Sequence, residues 1–411
     1  MKKSFLNLSF LCISMVMFSF SCNKNPGDEN NNPPVVDGVT EYAPKPVLKS
    51  NSKKVFVHMM PWFETKATNG GSWGIHWKMD TQNPDIVDAN GQRQIASHFY
   101  PLIGPYASGD TNVIQYQLLL IKLSGIDGVF IDWPGTQSKN DYPLLVRNTE
   151  KIVSQLSKVG LNYAIVYEDQ NLVQTSDKIG QAKADMVYLQ SKHFINDNYE
   201  KLNGKPLLLD FGPQAVQNAS DWTTIFSVLN PKPAFFSLWF QSGEAGANAT
   251  GEFAWIPQDN LTTLNRFYTN TYSGVKIASA YPGFYSFYTE GGWGGPTWTI
   301  DHNGTGTFTQ TLDLALSQAN INYIQLATWN DYGEGTMIEP TKEFGYDFLT
   351  TLQRKLGVTT FSKTDLEMVA KLYQLRLANS GNPDVLKKLN QAFYYLVSLQ
   401  TDKASALLAS L

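Results

Sequence analysis

Short apolar runs ending in polar or aromatic residues alternate along this chain with longer segments whose apolar positions recur at helical spacing. That alternation is the signature of βα repeats around a parallel sheet. Strands are predicted at 54–60, 128–133, 162–168, 206–211, 234–239, 252–256, 276–281 and 323–329. Helices are predicted between them at 112–123, 142–159, 177–191, 222–229, 261–272 and 308–320, and Gly125, Gly160 and Gly204 follow helix-like stretches. Strands in this number, joined by crossovers, predict an α/β fold, a (β/α)8 TIM barrel over residues 49–358. An open doubly wound sheet would need a phosphate-binding glycine turn after its first strand, and the chain has no GxGxxG. Beyond residue 358 the pattern changes to two amphipathic segments, 363–378 and 383–398, separated by NSGNPD. A C-terminal helical hairpin over 359–411 is therefore expected on the outside of the barrel.

The beginning of the chain has a different character. Lys2 and Lys3 precede an apolar run over residues 5–20 with no charge before Lys24, which reads as an export signal over 1–21. Ser19-Phe20-Ser21-Cys22 resembles a bacterial lipobox, so lipidation is expected at Cys22, with the protein anchored in the cell envelope. Residues 22–48 are rich in Asn, Pro and acidic residues without an apolar period, and read as a disordered tether. Cys12 would leave with the signal and Cys22 would carry lipid, so disulfides, zinc–thiolate sites and cysteine nucleophiles are excluded from the globular part.

Composition narrows the partner. The formal net charge is −4, and two units more negative without Lys2 and Lys3, which offers no basic footprint for nucleic acid. Aromatic residues make up 13% of the chain and charged residues only 17%, a balance suited to stacking neutral ligands such as sugars. A monomer acting on an oligo- or polysaccharide, without cofactor or metal, is the expectation. His58, His76, His98 and His302 fall near loops of one face, but no HExxH or paired spacing marks a metal site, and His193 falls on a helix flank.

In a barrel of this kind the active site lies at the carboxyl ends of the strands. The residues there are His58 and Trp62, Asp132 and Trp133, Glu168 and Asp169, Asp210, Tyr281, and then Asp331 and Glu334. Carboxylates interleaved with tryptophan suit hydrolysis of a glycosidic bond, which needs an acid for the leaving oxygen and a base or nucleophile. An acid opening a βα loop can equally cap the next helix, and for Asp132 and Asp210 both readings stand. The 323–340 segment, YIQLATWNDYGEGTMIEP, is more specific: a strand runs into a glycine-containing loop with two acids three residues apart. Asp331 and Glu334 are the candidate catalytic pair, with Glu168 as first substitute and Glu252 in reserve. To act as an acid near neutral pH, Glu334 needs a pKa raised from about 4.3 towards 6 or more, which Asp331 and a dry aromatic wall could supply. Trp62, Trp73, His76, Trp77, Trp133, Trp293, Trp329, Asn330 and Tyr281 are candidate substrate contacts, together with His58, Asp132, Glu168 and Asp210. Any one tryptophan can instead be core, and glycine-flanked Trp73 and Trp293 are the best candidates for exposure. Two long loops, 65–101 and 283–306, are expected to wall the cleft.

WNDYGEG resembles the catalytic-loop motif of glycoside hydrolase family 71, the α-1,3-glucanases, and the longer string resembles family 99, the endo-α-mannosidases. Asn330, Glu334, Gly335, Thr336, Ile338, Glu339 and Pro340 match the family 99 pattern, while Asp331 replaces its first glutamate and agrees with family 71. HMMPWF at 58–63, SHFYPLIGPY at 97–106 and GIDGVFIDWPG at 125–135 look like the first two strand ends of this group, and the resemblance extends over about residues 52–355. It implies a glycosidase acting on an α-linked mannan or glucan from within the chain, with Glu334 as general acid/base. In family 99 the first acid deprotonates the substrate's own 2-hydroxyl; the shorter Asp331 departs from that. The alternatives are a catalytically silent glycan-binding lipoprotein and an exo-acting xylosidase or arabinosidase, since barrel enzymes change substrate through their loops.

Overall fold

The computed structural model describes residues 33–411, so the predicted export signal and Cys22 lie outside the described residues. Eight parallel strands close into a barrel: β1 (Lys54–Met59), β2 (Gly128–Trp133), β3 (Asn162–Tyr167), β4 (Lys205–Asp210), β5 (Ala234–Leu238), β6 (Ala249–Phe253), β7 (Val275–Ala280) and β8 (Tyr323–Leu326). Each pairs with the next, and β8 returns to β1 with Leu326 beside Val57, which in turn lies beside Val129 of β2. Strands covered on both faces read as nearly continuous apolar runs, as VFVHM and GVFID do here, and Phe56 stacks on Phe130 at 4.6 Å.

Most predicted strands agree with the structure to within one or two residues at their ends. The sixth is displaced: ATGEF is the strand and the more apolar residues that follow leave the sheet. The eighth stops at Leu326 because Thr328 turns to bond its own loop, its N–H donating to Thr336 O at 2.9 Å, while Trp329 N–H donates to His58 O at 2.7 Å. Helix Asp347–Leu356, absent from the predicted set, follows β8 and leads to no further strand.

Helix Thr111–Leu123 is capped by Asp110, whose carboxylate accepts from the amides of Asn112 and Val113, and it is buried on nearly every side. The cause is the C-terminal region: helix Lys363–Ala378 packs over it, with Tyr116 against Tyr373 at 5.4 Å and Arg376 donating to Gln115 Oε1 at 2.5 Å. An all-round apolar helix is one with cover on both faces. The expected hairpin is three helices, since a short segment, Thr401–Ala409, follows Pro383–Val397.

Residues 33–48, read from composition as tether, make specific contacts. Thr40 exchanges two hydrogen bonds with the Gln391 side chain at 2.8 and 3.1 Å, Tyr394 donates to Glu41 at 2.6 Å, and Lys45 N–H donates to Val397 O at 3.2 Å. Backbone groups and single aromatic contacts, such as Tyr42 on Tyr395, hold this segment, and none of these leaves a hydrophobic period in the sequence.

The amino-terminal mouth of the barrel is closed by buried Glu200, which pairs with Lys54 and accepts from Tyr323 at 2.6 Å and Asn162 at 2.9 Å. Asp132, Glu168 and the 327–346 segment emerge at the opposite mouth.

Candidate active site

The loop after β8 folds back on itself. Asp331 N–H donates to Thr328 Oγ1 at 2.8 Å, Asp331 Oδ1 accepts from Glu334 N–H at 2.9 Å, and Thr336 N–H donates to Asp331 O at 3.2 Å. Gly333 and Gly335 make this turn possible. A Cβ at Gly333 would lie 2.8 Å from the Tyr288 ring, and Gly335 sits at φ +66° with Tyr285 O only 2.7 Å from where a Cβ would be. A second strap, from the loop after β7, is bonded to the first: Tyr285 N–H donates to Glu334 O and Phe287 N–H to Gly333 O, both at 2.8 Å. His302 braces it from behind, with Nε2 2.8 Å from Gly335 O.

Four acids from three strand ends meet here: Asp132, Glu168, Asp331 and Glu334. Asp132 hydrogen-bonds Glu168 and is raised well above the usual carboxylate range, by burial first and then by the Glu168 charge. Glu168 is likewise raised by burial, while its hydrogen bond with Asp132 opposes the rise, so one proton shared by the pair is favoured over two adjacent buried charges. Burial pushes Asp331 up to about 7 and Glu168 adds to the rise, against the amides of Glu334 and Gly333. Glu334 is raised well above its ordinary value by burial and then by the charges of Asp331 and Glu168. Its Oε2 is buried without a hydrogen-bond partner. A carboxyl kept protonated with one oxygen unengaged is equipped to give its proton to a leaving oxygen.

Tyr288 completes the cluster and carried no signal in the sequence beyond its place in a long glycine-rich loop. Its ring packs against Gly333, between the two loop acids, and its phenol is raised well above its ordinary value by burial and then by the charges of Asp331, Glu334, Glu168 and Asp132.

The predicted aromatic contacts divide. Trp62 stacks on His76 at 4.3 Å, Trp293 meets His76 edge-on at 5.6 Å, and Tyr288 lies 5.9 Å from Trp293, so these form one wall continuous with the acids. Trp293 is 37% exposed. Trp73 is half-buried, donates to Asp85 at 3.0 Å and has Arg93 over its ring, at the side of the insertion after β1. Trp77, Trp133, Trp329 and Tyr281 are corrections: all are fully buried and belong to the core. Trp77 stacks on Phe63 and donates to Tyr106 O at 2.7 Å, Trp133 packs on Tyr188, and Tyr281 donates to Asn260 at 2.8 Å. His58 is buried beside Gln325 and Trp255, and burial lowers it to about 4, so it is a neutral group inside the barrel. Asp210 is buried as well. It accepts from Asp169 N–H at 3.4 Å, and Asp169 in turn accepts from the amides of Gln214, Ala215 and Val216, an arrangement that shapes the loop after β4. Glu252 accepts from Ser242 N–H at 3.0 Å, apart from the four acids.

Asn330 is also a correction, since it is buried and ties the loop to the end of β1. Its Oδ1 accepts from Met60 N–H at 2.8 Å, and its Nδ2 donates to Met60 O at 3.0 Å and to Tyr106 at 3.1 Å. Below it Glu339, raised to about 7 by burial, accepts from Tyr106 at 2.7 Å, Gln117 at 2.8 Å and Tyr332 at 3.0 Å. The motif residues Asn330 and Glu339 thus hold the loop from beneath. Asn330→Ala is expected to lose about 2–4 kcal/mol, because it strands buried backbone groups of Met60 as well as removing bonds. A urea titration with unchanged slope checks this, and a loss below about 0.5 kcal/mol would contradict it.

No family model matches the chain. Over 89 residues, 22% of its length, it is 35% identical to the ascus wall endo-1,3-alpha-glucanase of Schizosaccharomyces pombe, and the match spans 17% of that protein. The fold is similar to that of the GH99 endo-alpha-mannosidase from Bacteroides thetaiotaomicron, with TM-score 0.58 and 18% identity over 74% of this chain and 95% of that one. A structure described as a glycoside hydrolase-like protein aligns with TM-score 0.57 and 12% identity, covering 77% of this chain and 98% of the other. The barrel read from the periodicity is therefore shared with solved structures across most of its length, and the resemblance to families 71 and 99 has a counterpart in both kinds of comparison.

Proposed function

We propose that this chain is a glycoside hydrolase acting on α-linked polysaccharide, an α-mannan or α-glucan, and cleaving within the chain. Glu334 is the general acid and Asp331 the base. The observation that carries the reading is the Glu334 carboxyl: favoured in its protonated form by burial and then by the charges of Asp331 and Glu168, and with Oε2 unengaged beside three further acids. The proton on Glu334 goes to the glycosidic oxygen as the bond to the anomeric carbon breaks. Asp331, one of whose oxygens is fixed by Glu334 N–H, takes a proton from the water whose oxygen forms the new bond to the anomeric carbon. Asp132 and Glu168 add a hydrogen-bonded acid pair that can accept from sugar hydroxyls, and the Trp62–His76–Trp293 wall supplies faces for the rings. The names of the similar proteins, an endo-alpha-mannosidase and an endo-1,3-alpha-glucanase, support α-linkage and internal cleavage.

Incubation with α-mannan, α-1,3-glucan and xylan tests this, with products sized by chromatography. Release of oligosaccharides from an α-linked polymer is expected. Single sugars alone would indicate exo action, and binding without cleavage of any polymer would leave a silent glycan receptor. We further propose that the enzyme works as a monomer at the cell envelope, anchored by lipid on Cys22. Incorporation of labelled fatty acid, lost in Cys22→Ala, is the expected result, and equal labelling of both would refute the anchor.

A further inference from the structure

A concavity lies on the same face of the barrel as the four acids. The insertion after β1, the strap after β7 and the segment after β8 line an open groove of about 460 Å³. That volume is within the range of about 300–1,000 Å³ typical of small-molecule sites. Its walls combine the amides of Gln82, Gln92 and Gln94 with the rings of His98, Tyr100 and Phe287, and Asp88, Arg93 and Glu343 add charged hydrogen-bonding groups at the same walls. Side-chain amides beside aromatic faces form a surface that binds neutral hydroxylated rings, offering both donors and acceptors and planes to stack on.

The groove is connected to the chemistry by the strap. Phe287 lines the groove and donates its N–H to Gly333 O, and the next residue, Tyr288, faces the acids. His98, on the opposite wall, stacks on Tyr285 at 3.7 Å and pairs with Glu290 at 2.8 Å, and Tyr285 N–H donates to Glu334 O. Residues 285–288 are therefore a partition with the acids on one side and the groove on the other. The acids come from β2, β3 and β8, whereas the groove is bounded by segments following β7, β8 and β1. A polymer crossing the acids towards β7 would pass over the partition and enter the groove.

We propose that this groove is a subsite for sugar residues of the α-linked chain beyond those at the scissile bond. The proposal rests on the hydrolase reading above and deepens it, because a subsite remote from the scissile bond makes cleavage depend on chain length. Gln82 and Gln92 are suitable probes: both are half-buried, and neither belongs to the catalytic loop or its strap.

The test compares wild type with the double variant Gln82→Ala, Gln92→Ala on α-linked oligosaccharides of two and of six sugars, from mannan and from 1,3-glucan. For the longer substrate KM is expected to rise about tenfold with kcat unchanged, since each lost hydrogen bond weakens binding several-fold. The shorter substrate should be unaffected. Equal effects on both lengths, or none on either, would overturn the proposal. Calorimetric binding to Glu334→Gln separates the groove from the chemistry. Affinity that increases with length and falls in the Gln82→Ala, Gln92→Ala background supports the groove even if no polymer is cleaved. Affinity independent of length, or no binding, refutes it whatever the hydrolysis assay shows.

Discussion

Glu334→Gln is expected to lower kcat on an α-linked polymer by about 10³-fold, within the range of about 10²–10⁴ for a general acid, while the protein still folds and binds substrate. The change is nearly isosteric and removes only the transferable proton. Because burial and the Asp331 and Glu168 charges disfavour ionised Glu334, a neutral amide there adds no unpaired charge, so stability should be unchanged or slightly increased. The discriminating measurement uses a substrate with an activated leaving group. Such a group departs with little protonation, so the variant should recover most of its rate if Glu334 acts as the acid. An equal loss on activated and unactivated substrates would assign Glu334 a positioning role, and full activity on the polymer would remove it from the mechanism.

The second large effect concerns Asp331 and pH. A base must be deprotonated, and Asp331 is raised to about 7, so kcat/KM of the wild type is expected to rise with pH through about 7. It should fall again at higher pH as Glu334 loses its proton. Asp331→Asn should lower kcat/KM by about 10²–10⁴-fold and abolish the rising limb. A rising limb unchanged in the variant would assign it to another group. Stability moves in the opposite direction. Below its ordinary value of 3.8 Asp331 is protonated in both folded and unfolded chains; between there and about 7 only the folded chain holds the proton. Stability therefore falls as pH rises across that window, and Asp331→Asn should flatten this part of a melting-temperature profile. Glu339, also raised to about 7 by burial, acts in the same sense and remains in the variant, so flattening should be partial.

The WNDYGEG string led to the loop, but its residues have different tasks. Asp331 and Glu334 meet Asp132 and Glu168, whereas Asn330 and Trp329 face inward, the one tied to Met60 and the other fully buried. A strand-end motif marks where a loop leaves the barrel. It does not tell which of its side chains turns up towards the opening and which down into the packing. The same ambiguity explains Asp132 and Asp210, both strand-terminal acids. Asp132 shares a proton with Glu168 in the cluster, whereas Asp210 is buried against the Asp169 backbone.

By itself the sequence determined the barrel, most of its outer helices and the position of the β8 loop. These follow from periodicity and from the rule that parallel strands need crossovers, both properties of neighbouring residues. Tertiary structure alone decided that Tyr288 faces the acids, that Glu339 supports their loop, that four tryptophan and tyrosine candidates belong to the core, and that residues 39–45 dock on the final helices. Each depends on groups far apart in the chain whose closeness is set by how loops of unequal length fold over the barrel mouth. Electrostatic coupling and desolvation act through space, and local pattern carries no record of them.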